Sequence, residues 1–130
     1  MRQRILVVED HPISRELLCD WLEAEGYEAA GTADLKSSFA AIQEKPPHAV
    51  LLDVSLGAVD GLFLVSWMRG KPELIGIPVI AVTAAATTAD KERILAAGCA
   101  ACLSKPVDFK LLRAELNRHL HIPVTKGEAQ

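Results

Sequence analysis

The chain has 130 residues, half of them hydrophobic and 24% charged, and its formal net charge is −3. That length fits one domain that buries a core without disulfides or metal, and the three cysteines do not make a disulfide framework. The mildly acidic balance argues against a general binder of nucleic acid or membrane surfaces. No apolar run approaches the roughly 20 residues of a membrane span, and no signal-peptide pattern is visible, so we expect a cytoplasmic protein.

Five short apolar runs recur along the chain and are typical of strands. They lack polar alternation, which favours strands covered on both faces, as in a parallel sheet. The second run is the weakest of the five. The predicted strands are Ile5 to Val8, Glu28 to Thr32, Ala49 to Leu52, Pro78 to Val82, and Ala100 to Leu103.

Helical patterns separate these runs. Pro12 suits a first turn, Asp34 and Thr87 or Thr88 suit N-caps, and Gly26 suits a C-cap. The first helix is expected to bury one face, made of Ile13, Leu17, Trp21 and Leu22. The predicted helices are Pro12 to Glu25, Leu35 to Glu44, Leu62 to Arg69, Thr88 to Ala97, and Asp108 to Leu120.

The alternation of strand and helix, repeated five times, predicts an α/β fold. Right-handed crossovers would place the helices on both faces of a parallel, doubly wound sheet. The final stretch, 121–130, loses the periodicity and predicts a frayed tail.

Polar side chains directly follow four of the predicted strands. They are Glu9, Asp10, Asp53, Thr83 and Lys105. The carboxyl ends of parallel strands meet at one edge of a sheet, where ligands bind in open α/β folds. If the first and third strands are neighbours, the three carboxylates face each other there. Each residue alone has an ordinary explanation as a cap or a solvated turn, but five together favour a site.

Crowded carboxylates repel one another unless a cation lies between them. Mg²⁺ suits such a site because it accepts a few carboxylates and keeps several waters. Lys105 would add a second positive charge and Thr83 a hydroxyl donor. These are the components of a phosphoryl-transfer site, in which Asp53 is the best-placed nucleophile for an aspartyl-phosphate.

Five motifs in order resemble the receiver domain of two-component response regulators, over about residues 4 to 120. They are Val7-Val8-Glu9-Asp10, Leu51-Leu52-Asp53, Asp60-Gly61, Val82-Thr83-Ala84 and Ser104-Lys105-Pro106. The resemblance implies a flavodoxin-like (βα)₅ fold with a five-stranded parallel sheet in the order 2-1-3-4-5. It implies a receiver domain over 1–122, a flexible tail over 123–130, and a cis peptide bond before Pro106.

The resemblance also implies a function. Asp53 would take a phosphoryl group from a phosphohistidine of a sensor histidine kinase or a histidine phosphotransfer protein. Asp10 and Asp53 would ligate Mg²⁺, Glu9 would hold a metal-bound water, and the backbone carbonyl of Ser55 would complete the set. Thr83 and Lys105 would bind the phosphoryl oxygens.

Such a protein is not an enzyme in the usual sense, because it catalyses only its own phosphorylation and dephosphorylation. It would switch its surface toward a downstream protein target, as a monomer or weak dimer. Direct nucleic-acid binding and membrane insertion are not expected.

The chain departs from the usual receiver pattern at several places. Leu56-Gly57 replaces Met-Pro, and the acidic pair is Glu-Asp where Asp-Asp is usual. Cys102 stands where relatives often carry a switch aromatic. We therefore expect phosphorylation to act mainly through the Thr83–Ala86 loop and the start of the following helix. The pattern also leads us to expect no effector domain after the helix that ends near Leu120.

Other interpretations are weighed beside this one. The Met start and short tail favour a stand-alone receiver over a fragment of a hybrid kinase or longer regulator. An aspartate-nucleophile phosphatase would carry an acid where Ser55 lies, and a flavin module would avoid Glu9-Asp10. Cys99 and Cys102 form a C-x-x-C, but on opposite faces of a strand they would be core residues and not a redox pair.

Overall fold

The five apolar runs form one parallel sheet. Its strands are β1 (Arg4–Val8), β2 (Glu28–Thr32), β3 (Ala49–Asp53), β4 (Val79–Thr83) and β5 (Ala101–Ser104), in the order β2-β1-β3-β4-β5. The predicted strand order is thereby confirmed. Each predicted boundary lies within one residue of the observed one. In β1, β3 and β4 the buried apolar run and the strand coincide, whereas no residue of β2 is fully buried.

The computed structural model describes residues 2–84 and 87–120. The predicted tail and two residues of the predicted Thr83–Ala86 loop, 85 and 86, lie outside the described residues. Within the described ranges, no helix combines the length and apolar character needed to cross a membrane.

Five helices connect the strands and cover both faces of the sheet. They are α1 (Pro12–Ala24), α2 (Leu35–Glu44), α3 (Leu62–Arg69), α4 (Thr88–Ala96) and α5 (Phe109–His119). One core cluster packs α2, α3 and α4 against the sheet, through side chains such as Ile42, Val65 and Ile94. A second cluster packs α1 and α5 against the opposite face, through Leu22 and Leu116 among others.

The buried face of α1 differs from the prediction. Leu18 and Leu22 are buried, whereas Ile13 and Leu17 are 72% and 57% exposed. The apolar stripe of this helix is wider than the face that fits against the sheet. Periodicity alone therefore did not decide which half of the stripe packs inward.

The two predicted N-caps are confirmed, at α2 and α4. Asp34 accepts a hydrogen bond from the Ser37 amide (2.8 Å), and Thr87 accepts one from the Asp90 amide (3.0 Å). At α1 the N-cap is His11, which the sequence analysis did not assign. Because neither Glu9 nor Asp10 caps α1, both side chains are available for a site at the carboxyl edge of the sheet.

Candidate functional site

Parallel pairing brings the predicted site residues to one edge of the sheet. Asp53 ends β3 and lies beside Val82 of β4, and Thr83 ends β4 opposite Ser104 of β5. The Lys105 amide donates to the Thr83 carbonyl oxygen (2.9 Å), which extends the ladder by one residue. The Lys105–Pro106 peptide bond is cis, as the resemblance implies.

Lys105, which follows β5, forms ion pairs with carboxylates at the ends of β1 and β3. Its Nζ lies 2.9 Å from Asp53 Oδ2 and 3.0 Å from Glu9 Oε1. Both carboxylates are buried, at 6% and 2% exposure. Burial lowers the pKa of Lys105, but its hydrogen bonds to Asp53 and Glu9 raise that pKa more, so the amine stays protonated.

The three predicted carboxylates form one cluster. Glu9, Asp10 and Asp53 each contribute an oxygen, and these oxygens lie within 4.8 Å of one another. Burial raises the pKa of Glu9 above its ordinary value, and the nearby Asp53 adds to the increase, while hydrogen bonds from Lys105 and His11 oppose it. The oxygen donors of this cluster are of the kind that a hard divalent cation prefers.

Backbone amides fix the orientation of the two buried carboxylates. The Ser55 amide donates to Asp53 Oδ1 (3.0 Å), and the His11 amide donates to Glu9 Oε2 (3.1 Å). Each carboxylate thus has one oxygen on Lys105 and the other on a backbone N–H of the following loop. Asp10 is exposed and lies at the open side of the cluster.

The loop after Asp53 contains a short hairpin that the sequence analysis missed. Ser55–Leu56 pairs antiparallel with Val59–Asp60 across a two-residue turn. Gly57 opens that turn with φ +61°, and Ala58 has no positive φ, a combination typical of type II′ turns. Glycine at 57 therefore suits a backbone that proline, which fixes a negative φ, could not adopt.

The Asp60-Gly61 motif lies directly before α3. Asp60 Oδ1 accepts from the Leu62 amide (2.9 Å) and caps α3, while Oδ2 accepts from Arg93 Nη1 of α4 (3.3 Å). At Gly61 a β-carbon would lie 2.7 Å from the Asp53 carbonyl oxygen. Its φ is an ordinary −62°, so only the close backbone approach requires glycine.

Comparison of the sequence with models of known families gives a match over most of the chain. The sequence model of the response regulator receiver domain matches residues 5–117. The chain belongs to this receiver family. Receivers are signalling proteins of two-component systems and not classical enzymes, they interact with histidine kinases or phosphotransfer proteins, and they generally bind Mg²⁺ at an acidic pocket.

Similar proteins include response regulators and the receiver domain of a histidine kinase. The polar-differentiation response regulator DivK of Brucella ovis is 39% identical over 107 residues, covering 82% of this chain and 87% of its own. A putative response regulator from Chloroflexus aurantiacus superimposes with a TM-score of 0.87 at 26% identity, covering 93% of this chain and 99% of that one. The receiver domain of a histidine kinase from Syntrophus aciditrophicus gives 0.83 at 30% identity, covering 95% of each.

The two cysteines of the C-x-x-C pattern pack in the core of this receiver, as predicted, but not on opposite faces of the sheet. Cys99 precedes β5, so strand alternation does not apply to it, and Cys99 and Cys102 pack in the same core cluster. The prediction of opposite faces is wrong. Burial raises the pKa of Cys99 to about 12 and also raises that of Cys102. Both shifts disfavour the thiolate, so the pair is suited to packing and not to redox exchange.

Replacing Gly61 tests whether its close approach to the Asp53 carbonyl oxygen requires glycine. Gly61→Ala places a methyl group against two carbonyl oxygens, and we expect a loss of about 1–3 kcal/mol in the free energy of unfolding. Urea unfolding measures it. Gly76→Ala is the matched control, because a β-carbon there meets nothing within 4 Å. Equal stability of the two variants would contradict the close-approach argument.

Proposed function

We propose that Asp53 is the residue that accepts the phosphoryl group. The observation that carries this proposal is its place: a carboxylate buried at the end of a central strand, with one oxygen on the Lys105 ammonium. In the transfer, the P–N bond of a donor phosphohistidine breaks as a P–O bond forms to Asp53. The imidazole keeps the bonding electron pair, and its nitrogen then takes up a proton.

Glu9, Asp10, Asp53 and the Ser55 carbonyl would hold Mg²⁺ beside the acceptor. Their clustered oxygens support this assignment. The ion supplies charge neutralisation for the incoming phosphoryl oxygens. Exposed Asp10 and buried Glu9 would hold it from the end of β1.

Lys105 and Thr83 would bind the transferred phosphoryl group. Lys105 contacts the Asp53 carboxylate and is held by Glu9 as well, so it would stay at this edge of the sheet when a phosphoryl oxygen replaces a carboxylate oxygen as its partner. Thr83 is fully buried at the end of the adjacent strand. Through these residues the receiver would catalyse its own phosphorylation and dephosphorylation.

The output would pass from Thr83 to the start of α4. Cys102 is half-buried on β5 beside Ala81 and has no ring to swing toward the site. α4 buries only Ile94 among its side chains, so it is held less firmly than α3, which buries four. A phosphorylation-dependent shift of Thr83 would therefore act on the adjoining loop and α4, changing the affinity for a downstream protein target.

We further propose that this receiver works in the cytoplasm as a monomer or weak dimer, with 1–122 as its folded unit. Its mild acidity supports protein partners over direct nucleic-acid binding. Its kinase or phosphotransfer partner would present the phosphohistidine at the edge formed by Glu9, Asp53 and Lys105.

Phosphorylation of Asp53 is tested with acetyl phosphate and Mg²⁺. Intact-mass measurement should show a single added phosphoryl group on the natural chain and none on Asp53→Asn, because the amide is not a competent nucleophile. Asp34→Asn, which keeps a good N-cap, should label normally. Labelling that persists on Asp53→Asn would refute the assignment.

The metal assignment predicts opposite effects of Asp10→Ala with and without Mg²⁺. Without the ion, the variant should melt at or above the temperature of the natural chain, because one repelling carboxylate is gone. At a tenfold excess over Kd, Mg²⁺ should stabilise the natural chain by about 1.4 kcal/mol and the variant far less. Calorimetry measures both. Asp20→Ala, outside the cluster, is the control; an unchanged Mg²⁺ response in Asp10→Ala would exclude Asp10 as a ligand.

The proposed output route predicts where amide NMR signals move when a phosphoryl mimic binds. Large shifts are expected for residues 83–90, with modest ones around Cys102, because the small thiol transmits little. Thr83→Ala should accept phosphate yet lose the shifts in α4. Changes centred on Cys102 and α5, with little movement at 83–90, would show that the route is wrong.

A further inference from the structure

Arg15 reaches from the first turn of α1 back to the loop that carries the acidic pair. Its Nη1 donates to the Glu9 carbonyl oxygen at 2.8 Å and approaches the Asp10 carbonyl oxygen at 3.5 Å. The side chain is half-buried between α1 and β2. A guanidinium donor makes a stronger hydrogen bond than a neutral one, so this contact is suited to fixing the loop.

Gly31 of β2 provides the space in which Arg15 lies. A β-carbon at position 31 would lie 3.0 Å from Arg15 Cγ and 3.1 Å from Cδ. The backbone of Gly31 has no positive φ, so its conformation does not itself require glycine. A glycine inside a strand otherwise costs stability, and here its missing side chain accommodates the stem of Arg15.

The position of Asp10 depends on the backbone of this loop, because its side chain is exposed. Glu9 is held directly, through Lys105, the His11 amide and its own amide, which donates to the Thr32 carbonyl (3.0 Å). Arg15 binds the carbonyl side of the same segment. It therefore constrains the peptide units from which both acidic side chains project.

We propose that Arg15 is a positioning residue for the metal site, and that Gly31 is the residue that allows it to lie there. Arg15 touches neither the phosphoryl group nor the ion; it acts by holding the Glu9 and Asp10 backbone. This inference rests on the proposed function, because it assumes that the acidic cluster binds Mg²⁺. It concerns how tightly the ion is held and not which residue is phosphorylated.

The test measures Mg²⁺ affinity directly, by following amide NMR shifts during titration with MgCl₂. Arg15→Met keeps the aliphatic stem and removes the donor, and we expect Kd to rise roughly tenfold, as for other residues that support metal ligands. Gly31→Ala keeps the donor but displaces its stem, so an intermediate rise is expected. Arg118→Met is the matched control, because it removes an exposed arginine of α5 and should leave Kd unchanged.

Two further readouts separate positioning from general stability. Gly31→Ala should be as stable as the natural chain without Mg²⁺, or more stable, and yet bind the ion more weakly. In the double variant, Gly31→Ala should add nothing to the effect of Arg15→Met, because both act through the same side chain. Additive effects of the two changes would overturn the role given to Gly31.

The outcomes distinguish this inference from the proposed function. If Arg15→Met binds Mg²⁺ like the natural chain while Asp10→Ala does not, the positioning role is wrong and the metal site stands. If Arg118→Met weakens binding as much as Arg15→Met does, net charge explains the effect and the positioning role is again wrong. If the natural chain shows no Mg²⁺-dependent shifts, the proposed metal site fails, and this inference fails with it.

Discussion

The contact of Lys105 with two buried carboxylates is the interaction on which the site depends. Glu9 and Asp53 end neighbouring strands, and the parallel pairing of β1 with β3 places them side by side. Removing such charges from water is unfavourable unless they are paired. A lysine after β5 can reach both carboxylates because β5 runs parallel to β1 and β3, so its carboxyl end lies at the same edge of the sheet as theirs. β5 is two strands away from β3. The strand order therefore decides whether the buried charges of Glu9 and Asp53 can be paired with Lys105.

Sequence reasoning predicted the sheet and the site edge because both follow from local patterns. Each buried strand is a continuous apolar run, and each site residue stands at or next to the end of one. Residues that act through distant partners were not predicted. Arg15 meets Gly31 and the Glu9 carbonyl, and Arg93 meets Asp60, only after folding. No local pattern marks such pairs, although the Asp60-Gly61 motif did indicate that its loop matters.

The errors of the prediction have physical causes of the same kind. The wide apolar stripe of α1 offered several possible inner faces, and the face that packs against the sheet is the one with Leu18 and Leu22. The C-x-x-C pattern was interpreted as part of a strand, but Cys99 lies in the turn before it and points into the same cluster as Cys102. In both cases the residue types were identified correctly, and only the backbone geometry decided their direction.

The order in which the site residues occur along the chain has a consequence for synthesis on the ribosome. Lys105 lies 96 residues after Glu9 and 52 after Asp53. A nascent chain that has emerged only through α4 carries both carboxylates but lacks the ammonium and the β5 strand that positions it. The addition of β5 to the sheet therefore coincides with the pairing of Lys105 with the two carboxylates. The site around Asp53 is complete only when this last strand has joined the sheet.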